Sequence, residues 1–298
     1  MKNRHLKSLS LKPGIHTICI RSSNIPKYIP TRLTRCVKNK HFTQEIDTKV
    51  REYCTIINPN YYRGKIETLG DFNSAMDSLK GEIGLESFKL TRVDFSIDNF
   101  EPQSYNKYLK INKWVVLILA MKHDAKSLYQ SINSLTFEKL TLRMDSEYIQ
   151  VEYYNKNIES NGQSPVHARL ELRSKRLLKT GHEVEDELSL WCDRLKALPR
   201  RSKILQDKCN EILISIWEEE SASGEVLSKA EFIRKYQVNI FTDQQLIDLC
   251  LLLGSTEKYA REIKTKMRIE TYKESDLVEF IEMIVEELIN FTVNDQKR

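Results

Sequence analysis

Cysteine is scarce in this chain and widely scattered. Its six cysteines (Cys19, Cys36, Cys54, Cys192, Cys209 and Cys250) include no Cys-x-x-Cys pair. That argues against a disulfide framework and against zinc-ligand spacing, and leaves buried reduced thiols as the reading. Only nine glycines and seven prolines occur, so no long flexible linker declares itself, and there is no internal repeat or low-complexity tract. Long apolar runs are missing too. The longest, Trp114 to Met121, is far too short to cross a bilayer. The basic, polar N-terminus has no hydrophobic signal core. A cytoplasmic protein without a membrane partner is therefore expected.

What remains is a globular composition: 298 residues, 40% hydrophobic and 30% charged, enough for a substantial core and for two domains. The formal net charge of +5 suits a nucleic-acid partner without requiring one.

Periodicity divides the chain. Gly14–Ile20 reads as a strand and Pro26–Pro30 as an extended connection, with Asp71–Phe88 at helical spacing. Tyr105–Ala120 and Ala125–Leu135 read as helices. A hairpin follows, Leu140–Arg143 and Tyr148–Tyr154 flanking Met144–Glu147, and Ser160–Pro165 carries turn chemistry. Beyond Leu177 the pattern becomes helical: Glu183–Leu198, Ile204–Glu219, Thr256–Met267 and Ser275–Phe291. Capping boxes begin at Ser228 and Thr242. The expected fold is α+β. A domain over residues 1–178, with a central, mostly antiparallel sheet flanked by helices, precedes a smaller all-helical region over 179–298.

Three segments put charge on one face. Residues two apart on a strand point the same way. Arg92, Asp94, Ser96 and Asp98 therefore oppose Val93, Phe95 and Ile97. Glu152, Tyr154 and Lys156 share a face, as do Arg169, Glu171 and Arg173. A tyrosine among carboxylates and cations suits phosphodiester chemistry: the hydroxyl attacks, acids hold a divalent cation, and a nearby cation grips the phosphate. The alternative is an edge-strand aromatic on a solvated face laced with cross-strand ion pairs. Tyr153, on the opposite face, belongs to the core.

The order Tyr154-Asn155-Lys156-Asn157-Ile158-Glu159, a short loop, then Arg169-Leu170-Glu171-Leu172-Arg173, preceded by Arg92-Val93-Asp94-Phe95-Ser96-Ile97-Asp98, resembles the replication initiation factor family. That family contains rolling-circle plasmid initiators and the relaxases of some conjugative elements. The resemblance covers about residues 88–178. It implies a plasmid or mobile-element initiator that nicks one strand at an origin hairpin or single strand, leaving a 5′-phosphotyrosyl link. Tyr154 is similar to the family's nucleophile, with Lys156 and Arg169 at the scissile phosphate. Asp94, Glu171, Asp98 and Glu159 correspond to acidic positions for Mg²⁺ or Mn²⁺. The lack of a paired-histidine motif among the six histidines agrees with the family. Two departures stand out: the hairpin turn Met144–Glu147 replaces a Gly-Ser element, and Glu152 replaces a basic residue, where its charge would disfavour a phenolate. A non-catalytic origin-binding initiator that recruits replication machinery is the alternative.

Arg92, Arg173, Lys175, Arg176, Arg200, Arg201 and Lys203 are candidate DNA contacts, or else part of a solvated face balanced by Glu183, Glu185, Asp186 and Glu187. The capped helices of Ser228–Leu253 form either a helix-turn-helix-like reader or a small dimerisation bundle. A host helicase and a second copy of the chain are candidate partners.

Overall fold

A computed structural model describes residues 11–22, 37–44, 51–60, 66–83, 89–120, 136–138, 141–145, 148–175, 177, 183–225, 228–236, 242–266 and 273–293. Eight strands lie in one sheet: β1 (Leu11–Ser22), β2 (Val37–Gln44), β3 (Arg51–Ile57), β4 (Lys89–Asn99), β5 (Thr136–Glu138), β6 (Thr141–Asp145), β7 (Ile149–Tyr154) and β8 (Ala168–Ser174). Their order is β2-β3-β1-β4-β8-β7-β6-β5, and the pairings are antiparallel. The helices are α1 (Leu69–Ile83), α2 (Ser104–Ala120), the short α3 (Lys156–Glu159), α4 (Val184–Lys196), α5 (Leu198–Ser223), α6 (Lys229–Lys235), α7 (Asp243–Leu252), α8 (Glu257–Lys266) and α9 (Glu274–Val293). The α+β class and the all-helical C-terminal part match the sequence reading.

Alternation in β4 and β8 explains why the sheet has two unlike faces. Val93, Phe95 and Ile97 of β4 join Leu170 and Leu172 of β8, Val151 and Tyr153 of β7, and Ile15 of β1 in the core. Helices α2 and α9 bury that face. Tyr105 stacks on Tyr153 and Tyr108 on Phe280, each pair 5.2 Å between centroids, and the Tyr153 hydroxyl donates to the Tyr105 carbonyl at 3.0 Å. From α9, Phe280, Ile281, Ile284 and Leu288 are 4% exposed or less, each such side chain contributing about 1.5–3 kcal/mol on burial. The core is one cluster drawing on β1 through α9, so the last helix packs back across the border expected at 178. Trp191 of α4 donates to Ser174 of β8 at 3.0 Å, and Trp114 of α2 donates to Ser202 of α5.

Several local expectations shift. Among the described residues, the first seventy hold three strands where one was expected. Helix α1 starts at Leu69 because the Thr68 hydroxyl accepts from the Asp71 N–H at 3.0 Å while Asp71 accepts from the Thr68 N–H at 3.1 Å. The reading of Ile204–Glu219 is too short: α5 begins beside Pro199, suited to a first helical turn, and ends at Gly224, whose φ of 76° supplies the left-handed cap. Thr242 makes a full capping box with Gln245, whereas Ser228 shows only the bond from the Glu231 N–H. The expected extended segment 26–30 and helix 125–135 lie outside the described residues. No helix among the described residues is long and apolar enough to cross a membrane.

Candidate active site

The polar face of the sheet gathers the three predicted strands. Register places Ser96 beside Glu171 and Asp98 beside Arg169, while Glu152 pairs with Glu171 and Tyr154 with Arg169. The Tyr154 hydroxyl donates to Glu171 Oε1 at 2.8 Å. Both residues are deeply buried, at 5% and 3% exposure. Burial first, then the adjacent Glu171 charge, pushes the phenol well above its ordinary pKa, with Arg169 pulling the other way. The tyrosine is thus a neutral phenol whose proton already points at a carboxylate.

Arg169 is the next layer. Its Nε and Nη2 donate to the two oxygens of Asp98 at 2.6 and 2.8 Å, a fork-to-fork pair. Burial opposes its charge, but Asp98 more than offsets this and holds the guanidinium pKa up. Its Nη1, buried and 3.7 Å from Glu171 Oε1, has no hydrogen-bond acceptor. Arg169 and Asp98 also form a wall of a cleft of about 430 Å³ lined by Lys12, His16, Ser96, Lys156 and the loop at 160–165. Arg169 and Lys156 give that polar cleft two cationic lining residues.

Lys156 does not continue the strand as alternation suggested. Asn155 ends β7 by accepting from the Ile158 N–H and starts α3, so Lys156 folds back. Its ammonium lies 5.6 Å over the Tyr154 ring and 2.5 Å from Glu159. Tyr154 and Lys156 are still neighbours, by a different route.

The four acids expected to hold a metal are each met by a cation. Asp94 is bound through Arg92 Nε at 2.7 Å and Arg173 Nε at 3.0 Å. Asp98 faces Arg169, Glu159 faces Lys156, and Glu171 lies 3.4 Å from Arg173 Nη2. Among the described residues no three acids, histidines or cysteines converge as a set that could hold a metal ion. As placed, these residues do not fit Mg²⁺ or Mn²⁺.

The candidate DNA contacts separate. Arg92 and Arg173 serve Asp94. Arg201 is half-buried: its Nη2 donates to the Ile118 carbonyl at 3.0 Å in the last turn of α2, and burial, then Arg194, lowers its pKa. Arg200 and Lys203 are exposed, Lys175 is half-buried and Arg176 lies outside the described residues.

Sequence reasoning missed His16 and Lys12. A bulge between Ile15 and Thr17 in the β1–β4 pairing brings His16 Nδ1 to 3.5 Å from Glu171 Oε1, a re-aiming typical of bulges. Alternation in Gly14–Ile20 carries no sign of the inserted residue.

An antiparallel sheet with helices on one face and a buried Tyr–Glu–Arg group on the other defines the class. No protein-family model matches the sequence, and no curated protein does. Among solved structures, a rolling circle replication initiator protein from Geobacillus stearothermophilus is similar with a TM-score of 0.27 and 12% identity, over 70% of this chain and 84% of that one. An overlay that loose bears no weight, and function rests on the side chains.

Proposed function

We propose that the chain is a replication initiator or relaxase of a plasmid or other mobile element, which nicks one DNA strand through Tyr154. The observation that carries this reading is the Tyr154 hydroxyl donating to Glu171 beside Arg169, which together with Lys156 lines a polar cleft. Glu171 takes the phenol proton as the oxygen attacks phosphorus. Arg169, held by Asp98, and Lys156 balance charge on the phosphate. The 3′ oxygen leaves and the 5′ side stays on the tyrosine. No step is routed through a metal, since the acids are already paired.

The burial of Tyr154 favours a second reading, a non-catalytic initiator in which the tyrosine ties β7 to β8. Labelled single-stranded and hairpin oligonucleotides from the DNA flanking the gene, with Mg²⁺ or Mn²⁺ supplied, separate the two. Nicking gives a covalent adduct on a denaturing gel that Tyr154→Phe abolishes while binding survives. No adduct from the wild type, or the same adduct from Tyr154→Phe, rejects it. Undiminished plasmid copy number with Tyr154→Phe supports the non-catalytic role.

A further inference from the structure

Helices α7 and α8 are joined by four residues, Leu253–Thr256. Gly254 adopts φ of 73°, a left-handed turn that glycine takes without strain. The turn closes through Gly254 N–H to the Leu251 carbonyl at 2.8 Å and Ser255 N–H to the Cys250 carbonyl at 2.9 Å. Thr256 then starts α8 by accepting from the Tyr259 N–H at 3.2 Å. Inside the corner Leu246, Leu249, Cys250 and Leu253 meet Ala260 and Ile263, all at 5% exposure or less.

Helix α8 is held by that narrow seam, and its outward face carries exposed Lys258, Tyr259, Arg261 and Thr265. Arg261 pairs with Glu257 at 2.6 Å, both exposed, a contact that a phosphate readily replaces. Between 256 and 268 the sequence has Lys or Arg at 258, 261, 264, 266 and 268 against Glu257 and Glu262, so five minus two gives +3. A short Gly-containing turn between two packed helices, with a cationic second helix held on one seam, is the build of a helix that enters the major groove.

We propose that α7–α8 is a helix-turn-helix whose second helix reads double-stranded DNA through the exposed face of Lys258, Tyr259, Arg261 and Thr265. The sequence pattern left Ser228–Leu253 open between such a reader and a dimerisation bundle; the proposed unit spans 243–266 instead. The unit stands on its own geometry, whether or not Tyr154 nicks.

The test selects duplexes bound by the full chain from a random 20-base-pair pool, then measures affinity for the winners by fluorescence anisotropy. A Lys258→Ala/Tyr259→Ala/Arg261→Ala variant, all surface positions, is first checked for an unchanged melting temperature. The expected result is an enriched sequence, bound at least ~10-fold more weakly by the variant, with any Tyr154-dependent adduct on a single-stranded oligonucleotide unchanged. No enriched sequence, or equal affinity from the variant, overturns the proposal. A variant that loses self-association but keeps duplex affinity also overturns it, and assigns the corner and the exposed Leu251 and Leu252 to contact between copies.

Discussion

Arg173 is the side chain whose removal tests the ionic layout most directly. Its Nε lies 3.0 Å from Asp94, its Nη2 3.4 Å from Glu171 and 3.9 Å from Glu152, and its Nη1 donates to Gln150 at 2.5 Å. The Asp94 and Glu171 side chains are only 1% and 4% exposed. Arg173→Met keeps the aliphatic stem and deletes the cation. Each acid retains one counterion: Arg92 for Asp94, Arg169 for Glu171 and Arg143 for Glu152. The loss should therefore fall at the low end of the range for breaking a buried pair, about 3 kcal/mol at pH 7.5. In a chain of this size that lowers the melting temperature by roughly 5 °C. Glu152, whose pKa burial raises and Arg173 pulls back down, then holds its proton more tightly in the folded variant than in the unfolded chain. The penalty is then full at neutral pH and fades as pH falls toward about 4. Urea unfolding followed by tryptophan fluorescence at pH 7.5 and 4.5 reads both effects. A loss below about 1 kcal/mol at pH 7.5, or an equal gap at the two pH values, would refute the layout.

Burial first, and the facing Glu171, raise the Glu152 pKa, against which Arg173 works. A raised carboxyl pKa removes stability as pH climbs through it, so Glu152→Gln should gain up to about 1 kcal/mol at pH 7.5 and nothing near pH 4; a loss at pH 7.5 in thermal melts would contradict this. Arg169→Lys cannot span both Asp98 oxygens and loses its fixed place in the cleft wall, so single-strand affinity by anisotropy should drop about 10-fold, and an unchanged value would remove Arg169 from phosphate binding. Because Asp94, Asp98, Glu159 and Glu171 each face a cation, calorimetry of the free protein should show no saturable Mn²⁺ binding below about 1 mM; a micromolar site would mean that the acids regroup around metal.

Legibility followed the length of each repeating pattern. Strand β4 alternates from Arg92 to Asp98, and α2 and α9 keep one apolar stripe for four turns or more, so face and type could both be read. Strands β2 and β3 could not. Arg51-Glu52-Tyr53-Cys54 and Val37-Lys38-Asn39-Lys40 are polar, and their pairing on β1 decides them. The chemical types of the site were visible, because Tyr154, Arg169, Glu171 and Asp98 obey strict alternation on paired strands. Partner choice was not. It depends on register, which put Arg173 rather than a cation-free gap between Asp94, Glu152 and Glu171. Lys156 shows the same limit from the other side, since an Asn cap one residue earlier redirected it.

Glu152 argued against a phenolate next to it when only the sequence was in view. In the fold its carboxylate accepts from Gln150 at 2.5 Å and lies 3.4 Å from Arg143 and 3.9 Å from Arg173. It therefore balances guanidinium charge on the closed side of the polar face, together with Asp94 and Arg92. The open side is different: Asp98, Arg169, Lys156 and His16 line the cleft. Tyr154 and Glu171 form the seam between the two. A phosphate approaching from the cleft meets Arg169 and Lys156 first, while Glu152 sits behind Glu171 with its charge compensated. Asp94, Gln150 and Glu171 hold Arg173 more closely than Glu152 does, and Arg169, fixed by Asp98, is the guanidinium that lines the cleft.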